Sequence, residues 1–207
     1  MGSIDGALVR GSDGVRRCFW GASTPDYAAY HDDEWGRPVV DDVRLFEKIS
    51  LEGFQSGLSW LTILRKREGF RKAFVGFDPA RVARFGERDV TRLLGDPAIV
   101  RHRGKIEATI ANARATLSVQ EARGSLATLL WSYELRRRPA PRAIGDIPSS
   151  SPESVALAKE LKTFGFRFVG PTTAYAAMQA MGVVNDHLVG CAARSTCTRA
   201  RKDLIVP

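Results

Sequence analysis

Leu161-Lys162-Thr163-Phe164-Gly165-Phe166-Arg167-Phe168-Val169-Gly170-Pro171-Thr172-Thr173-Ala174 reads as two helices joined by a short turn with a glycine at each end. Gly165 is able to take the positive φ that ends a helix, and Gly170 lets the backbone come close to a neighbour. Pro171 suits a first helical position, and the free N–H groups around it make a seat for a phosphate. An ordinary αα-hairpin packing its aromatics inward fits the same residues, so this segment alone leaves its purpose open.

Outward from the turn the pattern stays helical. Pro152 opens the preceding helix, expected over 152–164, and the following one is expected over 171–181. The proline-rich stretch 136–151 is a connection. Further back, Asp41-Asp42 caps an apolar-periodic stretch at 43–58, and Ser59 starts a second helix. Asp78-Pro79 caps a short helix, 87–94 makes another, 99–121 carries a long pattern broken near Gly104, and 126–133 a short one. No strand-like alternation stands out, so the expected fold is all-α.

With 44% hydrophobic residues in 207, the chain has enough apolar material for one sizeable core or two small lobes sharing one. No apolar run reaches about eighteen residues, which excludes a membrane-spanning class. The first seventeen residues are polar and glycine-rich and lack the apolar centre of a secretory signal, so they read as a floppy leader on a cytoplasmic protein. Three cysteines are the wrong number for a disulfide framework. A net charge of +8 favours an acidic partner, nucleic acid or an anionic membrane surface, although a basic protein with no such partner has the same count. The charge is clustered at Arg65-Lys66-Arg67, Arg71-Lys72, Arg101-His102-Arg103-Gly104-Lys105 and Arg136-Arg137-Arg138. The groups containing Arg65 and Arg103 fall at expected helix ends, where phosphates could be met; the triple arginine fits a solvated loop as well.

On a wheel of 3.6 residues per turn, Leu45, Ile49, Glu52, Ser56 and Trp60 share one stripe. Glu52 therefore points to an apolar side, and Glu47 points to water. A buried carboxylate costs several kcal/mol unless it is paired or hydrogen-bonded. An internal salt bridge or a helix-end cap is one explanation. The aromatic crowd nearby offers another: Trp20, Tyr27, Tyr30, Trp35 and Trp60 all fall between residues 20 and 60, and with an inward carboxylate they could form a pocket for a flat base.

Cys18 and His31 near the start, and His187 and Cys191 near the end, offer two thiols and two imidazoles. His187 and Cys191 would share a face if their segment were helical. Two Cys and two His complete a tetrahedral zinc shell with no position left for a catalytic water, and such a site would tie the chain ends together. Unligated thiols and ordinary histidines remain the alternative, and Cys197 is a spare thiol. The zinc-deaminase pattern, Pro-Cys-x-x-Cys with a nearby His-x-Glu, is absent.

Taken together, these strings resemble the bacterial 3-methyladenine DNA glycosylase I family: Arg17-Cys18-Phe19-Trp20; Tyr27-Ala28-Ala29-Tyr30-His31-Asp32-Asp33-Glu34-Trp35-Gly36; Leu51-Glu52-Gly53 through Gln55 to Gly57-Leu58-Ser59-Trp60; Ile99-Val100-Arg101-His102-Arg103-Gly104-Lys105-Ile106; the 165–170 turn; and Val184-Asn185-Asp186-His187-Leu188-Val189-Gly190-Cys191. The likeness covers 17–194, leaving 1–16 as a flexible leader and 195–207 as a tail. It implies a two-lobed helix-hairpin-helix glycosylase fold, with Gly165, Phe168 and Gly170 of the hairpin gripping DNA backbone. It implies a structural zinc at Cys18, His31, His187 and Cys191. It implies that Glu52 binds the amino edge of a flipped base, with Tyr30 assisting, Trp60 stacking on it, and Trp20, Tyr27 and Trp35 around the pocket.

The reaction implied is hydrolysis of the N-glycosidic bond of 3-methyladenine in alkylated double-stranded DNA, by a monomer working in the cytoplasm on the nucleoid, without strand cutting. In the wider superfamily an aspartate after the hairpin aids catalysis. Asp186 lies in that neighbourhood and is given no catalytic role. A lesion-binding module that does not cleave, and a zinc-stabilised basic scaffold with no pocket, are the competing readings.

Overall fold

The computed structural model describes residues 8–135 and 138–206. Ten helices carry the fold among them, and most begin where a short polar side chain replaces the missing intrahelical partner. Thr24 caps α1 (Pro25–Asp33) and Asp41 caps α2 (Asp42–Gln55). Ser59 caps α3 (Trp60–Ala73), and Asp78 caps the single turn α4 (Pro79–Val82). α5 (Glu87–Gly95) leads to the long α6 (Arg103–Arg123), which His102 caps and Gly124 ends at φ +85°. α7 (Leu126–Trp131) follows. Ser151 and Pro152 start α8 (Pro152–Thr163), the turn leads into α9 (Pro171–Ala180), and α10 (Ala192–Lys202) closes the chain. Of the expected 99–121 helix, residues 99–102 stay outside, and Gly104 sits in the first turn without breaking it.

α2 is the centre of the molecule. Its ten consecutive residues from Leu45 to Phe54 are buried, because α3, α6, α7 and α9 surround it. The main core joins Leu45, Phe46, Phe54, Phe70, Ile106 and Met178 from four of these helices. Glu47, expected at the surface, is buried as well. Arg44 and Arg71 cover it at 2.6 and 2.8 Å, satisfying a carboxylate that the packing of α3 against α2 takes out of water.

The two chain ends form a second group. β1 (Leu8–Arg10) pairs antiparallel with β2 (Arg16–Cys18), Leu8 opposite Cys18. β2 and α1 both pack on α10. The fold is helical as expected, with this small two-stranded sheet added at residues 8–10 and 16–18, and helix continues through 192–202. Arg17 anchors the hairpin, buried and paired with Asp13 and Asp32 at 2.6 Å each. Among the described residues, no helix is long and apolar enough to cross a membrane.

Candidate active site and metal centre

The last turn of α2 carries Glu52 into the space between α1, α3 and α9. Glu52 is 6% exposed, and its side chain has no hydrogen-bond or ion-pair partner among the described residues. Burial pushes its carboxyl up to about 7, and Lys48 one turn earlier offsets only part of that. The Lys48 ammonium is itself held by Glu34 at 3.1 Å. A carboxylate left unpaired in such a place is strongly biased toward any cation that enters.

Aromatic rings wall the space. The ring centroids of Tyr30 and Trp60 lie 5.4 Å apart. Trp20 meets Tyr27 edge-on at 5.6 Å and Trp35 at 5.0 Å. The resulting cavity of about 360 Å³ is lined by Trp20, Tyr27, Tyr30, Trp35, Glu52 and Trp60, so the six residues singled out in the sequence meet at one place. Burial, then the neighbouring Glu52, raises the Tyr30 hydroxyl well above its ordinary value, which keeps it a donor. Trp60 Nε1 is a second buried donor without a partner. Tyr27 serves the frame also, since its hydroxyl accepts from the Leu61 N–H at 3.1 Å and fixes the start of α3.

Beside this cavity Cys18, His31, His187 and Cys191 converge, all buried, with their donor atoms within 4.8 Å of one another. Cys191 Sγ lies 3.4 Å from His31 Nε2 and 3.5 Å from His187 Nδ1, and Cys18 Sγ lies 3.9 Å from His187 Nδ1. Donors on a tetrahedral zinc would be spaced about 3.6 Å apart for sulfur and nitrogen. The outward ring nitrogens are also held: His31 Nδ1 by Asp32 at 2.8 Å and His187 Nε2 by the Trp35 carbonyl at 3.0 Å. Such outer partners fix which nitrogen faces a metal. The Cys191 thiol, hydrogen-bonded by Cys18 and facing His187 and His31, is held well below its ordinary value. The four residues therefore fit a metal of tetrahedral, sulfur-and-nitrogen preference. His187 and Cys191 sit in an irregular turn and not on a helix face, so folding and not helical spacing brings them together.

Residues 20–195 match the sequence model of the methyladenine glycosylases. The chain belongs to the methyladenine glycosylase family. DNA-3-methyladenine glycosylase 1 of Escherichia coli (strain K12) is 49% identical over 179 residues, 86% of this chain and 96% of the relative. The DNA-3-methyladenine glycosylase of Haemophilus influenzae (strain ATCC 51907 / DSM 11121 / KW20 / Rd) is 42% identical over 183 residues, 87% of this chain and 98% of that one. A solved substituted form of 3-methyladenine DNA glycosylase I, in complex with 3-methyladenine, superposes with a TM-score of 0.82 at 37% identity, covering 86% of this chain and 97% of the other.

In this methyladenine glycosylase the α8–α9 turn stands apart from the cavity walls. Gly165 takes φ +98° and Phe168 takes φ +57°, with Phe168 42% exposed. Gly170 caps α9 in an extended conformation, with open space where a Cβ would stand. The arginines expected to reach phosphates are partly engaged at home: Arg65 with Asp26, Arg103 with Glu87 and Glu107. Lys105 is buried and holds the Phe54 and Ser56 carbonyls at the end of α2. Arg138 leaves the solvated-loop reading, because it pairs with buried Asp186; Arg136 and Arg137 lie outside the described residues. Sequence reasoning gave no part to Gln55, Ala176 and Gln179, which line the cavity too. Gln55 follows Glu52 by three residues on α2, a spacing that puts both on one face.

Proposed function

We infer that this chain hydrolyses the N-glycosidic bond of 3-methyladenine in alkylated double-stranded DNA, releasing the free base and leaving an abasic site. The observation that carries this is Glu52: a buried carboxylate with no partner, enclosed by aromatic faces in a space sized for a purine. Relatives 49% and 42% identical are named for the same activity.

Methylation at N3 makes adenine cationic and its bond to the sugar labile, so the pocket has to select and not to force. The lesion swings out of the duplex, at a cost of a few kcal/mol that is least for a weakly paired base. Its positive ring meets ionised Glu52, which takes a hydrogen bond from the N6 amino group, with Tyr30 assisting. Trp60 stacks on the ring, and cation–π attraction adds about 0.5–2 kcal/mol. Trp20, Tyr27 and Trp35 complete the wall. Neutral adenine offers the same N6 amino group but gains neither the charge attraction nor the cation–π contribution. The C1′–N9 bond breaks with its electron pair going to the base; water adds its oxygen to C1′ and gives up a proton. Among the described residues no lysine lines the cavity, which fits release without a covalent sugar intermediate or strand cutting.

Outside the pocket, Gly165, Phe168 and Gly170 make the helix-hairpin-helix contact with DNA backbone, helped by the free N–H groups at the start of α9. Zinc is the ion assigned to Cys18, His31, His187 and Cys191; bound there with a full shell it supplies folding energy and no chemistry. The protein acts as a monomer in the cytoplasm, where its DNA is.

Incubating the purified chain with methylated duplex and separating the released bases tests the assignment. Free 3-methyladenine is expected. Binding of the methylated duplex without any free base would instead identify a lesion-recognition module.

A further inference from the structure

α9 brings a second polar side chain, Gln179, to the cavity. Thr172 and Thr173 stand where the cavity mouth meets the loop at 56–59, Ala176 lines both mouth and cavity, and Gln179 lines the cavity one turn further along. Gln179 Nε2 donates to Asp186 Oδ2 at 2.9 Å. Asp186 is 1% exposed and lies outside the cavity lining; its carboxylate also accepts from the Tyr175 hydroxyl at 2.6 Å and from Arg138 at 2.7 Å. A carboxylate bound to an arginine accepts and does not donate, so it dictates which way the Gln179 amide lies: nitrogen toward Asp186, oxygen away. Gln179 Oε1 has no partner among the described residues and is not sealed off by protein. Gln179 thus lines the same cavity as Glu52 with its amide held in one orientation, the oxygen turned away from Asp186.

We propose that Gln179 reads the base, its Oε1 accepting one N6–H of the flipped 3-methyladenine while Glu52 takes the other, and that Asp186 is the positioning residue that holds the amide for this. The proposal rests on the base-excision reading and adds its selectivity. A purine with an oxygen at C6, such as 3-methylguanine, would set acceptor against acceptor at Gln179. The amide cannot turn to offer its nitrogen, because Asp186 holds that nitrogen. The same aspartate that has no contact with substrate therefore acts on which substrate is taken.

Gln179→Met keeps the side-chain length and removes the acceptor. The test measures release of 3-methyladenine and of 3-methylguanine from one methylated duplex, with the parent chain beside it. In the variant, 3-methyladenine release is expected to fall about tenfold, and the ratio of the two bases to fall by a similar factor. Asp186→Asn frees the amide to rotate and is expected to lower the same ratio, which loss of stability alone does not do. A ratio within about twofold of the parent in Gln179→Met overturns the proposal, whatever happens to the overall rate. A parent chain that releases no 3-methyladenine overturns the excision reading itself, so the two failures are distinct. A measurement on the unsubstituted protein does not depend on the variants folding: tryptophan quenching by free 3-methyladenine and by its N6-methyl derivative. The derivative, lacking one N6–H, is expected to bind about tenfold more weakly; equal binding contradicts the proposal.

Discussion

Asn112 and Arg167 exchange two hydrogen bonds across 55 residues of chain: the Asn112 Nδ2 donates to the Arg167 carbonyl at 3.0 Å, and the Arg167 N–H donates to Asn112 Oδ1 at 2.7 Å. One buried amide in the middle of α6 thus satisfies both backbone groups of a residue in the α8–α9 turn. The neighbour, Phe168, holds a left-handed backbone that a bulky residue adopts only when its surroundings impose it. Asn112→Ala should leave both groups unpaired, at about 1–3 kcal/mol of stability. Duplex affinity, read by fluorescence anisotropy, should drop, while quenching by free 3-methyladenine stays as it was. Equal losses in both would mean that the turn does not serve DNA binding separately from the pocket.

Glu52 sets function against stability. Its carboxyl binds a proton more tightly in the folded chain, at about 7, than at the ordinary value of 4.5. The corresponding stabilisation is complete below the ordinary value and is lost as pH rises through about 7, for a total of roughly 3 kcal/mol. Glu52→Gln has no such loss. Its melting temperature should therefore exceed that of the parent at about pH 8, with the difference shrinking as pH falls toward about 4.5. A variant that melts lower at the higher pH would place the carboxylate in a stabilising pair that the structure does not contain.

The Cys18, His31, His187 and Cys191 cluster joins residues from both ends of the chain, so a metal bound there should, on removal, act on the whole fold. Purified protein is expected to carry one equivalent of zinc by elemental analysis. Losing even ~5 kcal/mol of metal-linked folding energy would lower the melting temperature by roughly 10–20 °C in a domain of this size. Chelation and Cys191→Ser should both do so. Unchanged melting after complete removal of metal would leave the four residues as a buried polar cluster with no ligand.

The helices that position the site were legible where a cap and a periodic apolar face coincide, as at Asp41, Ser59 and Ser151-Pro152. α1 and α10 were not, because each buries only two residues and the rest of its surface is polar. β1 and β2 have three residues each, too few to display alternation. A wheel located Glu52 correctly but put Glu47 in water, since it takes no account of a second helix arriving with its own arginine. Gln179 illustrates the harder case. An amide among apolar neighbours on α9 has no visible direction until Asp186 is folded against it.

The central claim is that an ionised, otherwise unpaired Glu52 draws a cationic purine into an aromatic pocket. Single-turnover release of 3-methyladenine from methylated duplex, followed from about pH 5.5 to about pH 8.5 for the parent and Glu52→Gln, addresses it directly. The parent rate should decline as pH falls below about 7, where the carboxyl takes up its proton. The variant should show no such decline and remain slower by about 10²-fold or more at the upper end. A Glu52→Gln rate within about twofold of the parent at about pH 8 would contradict the account.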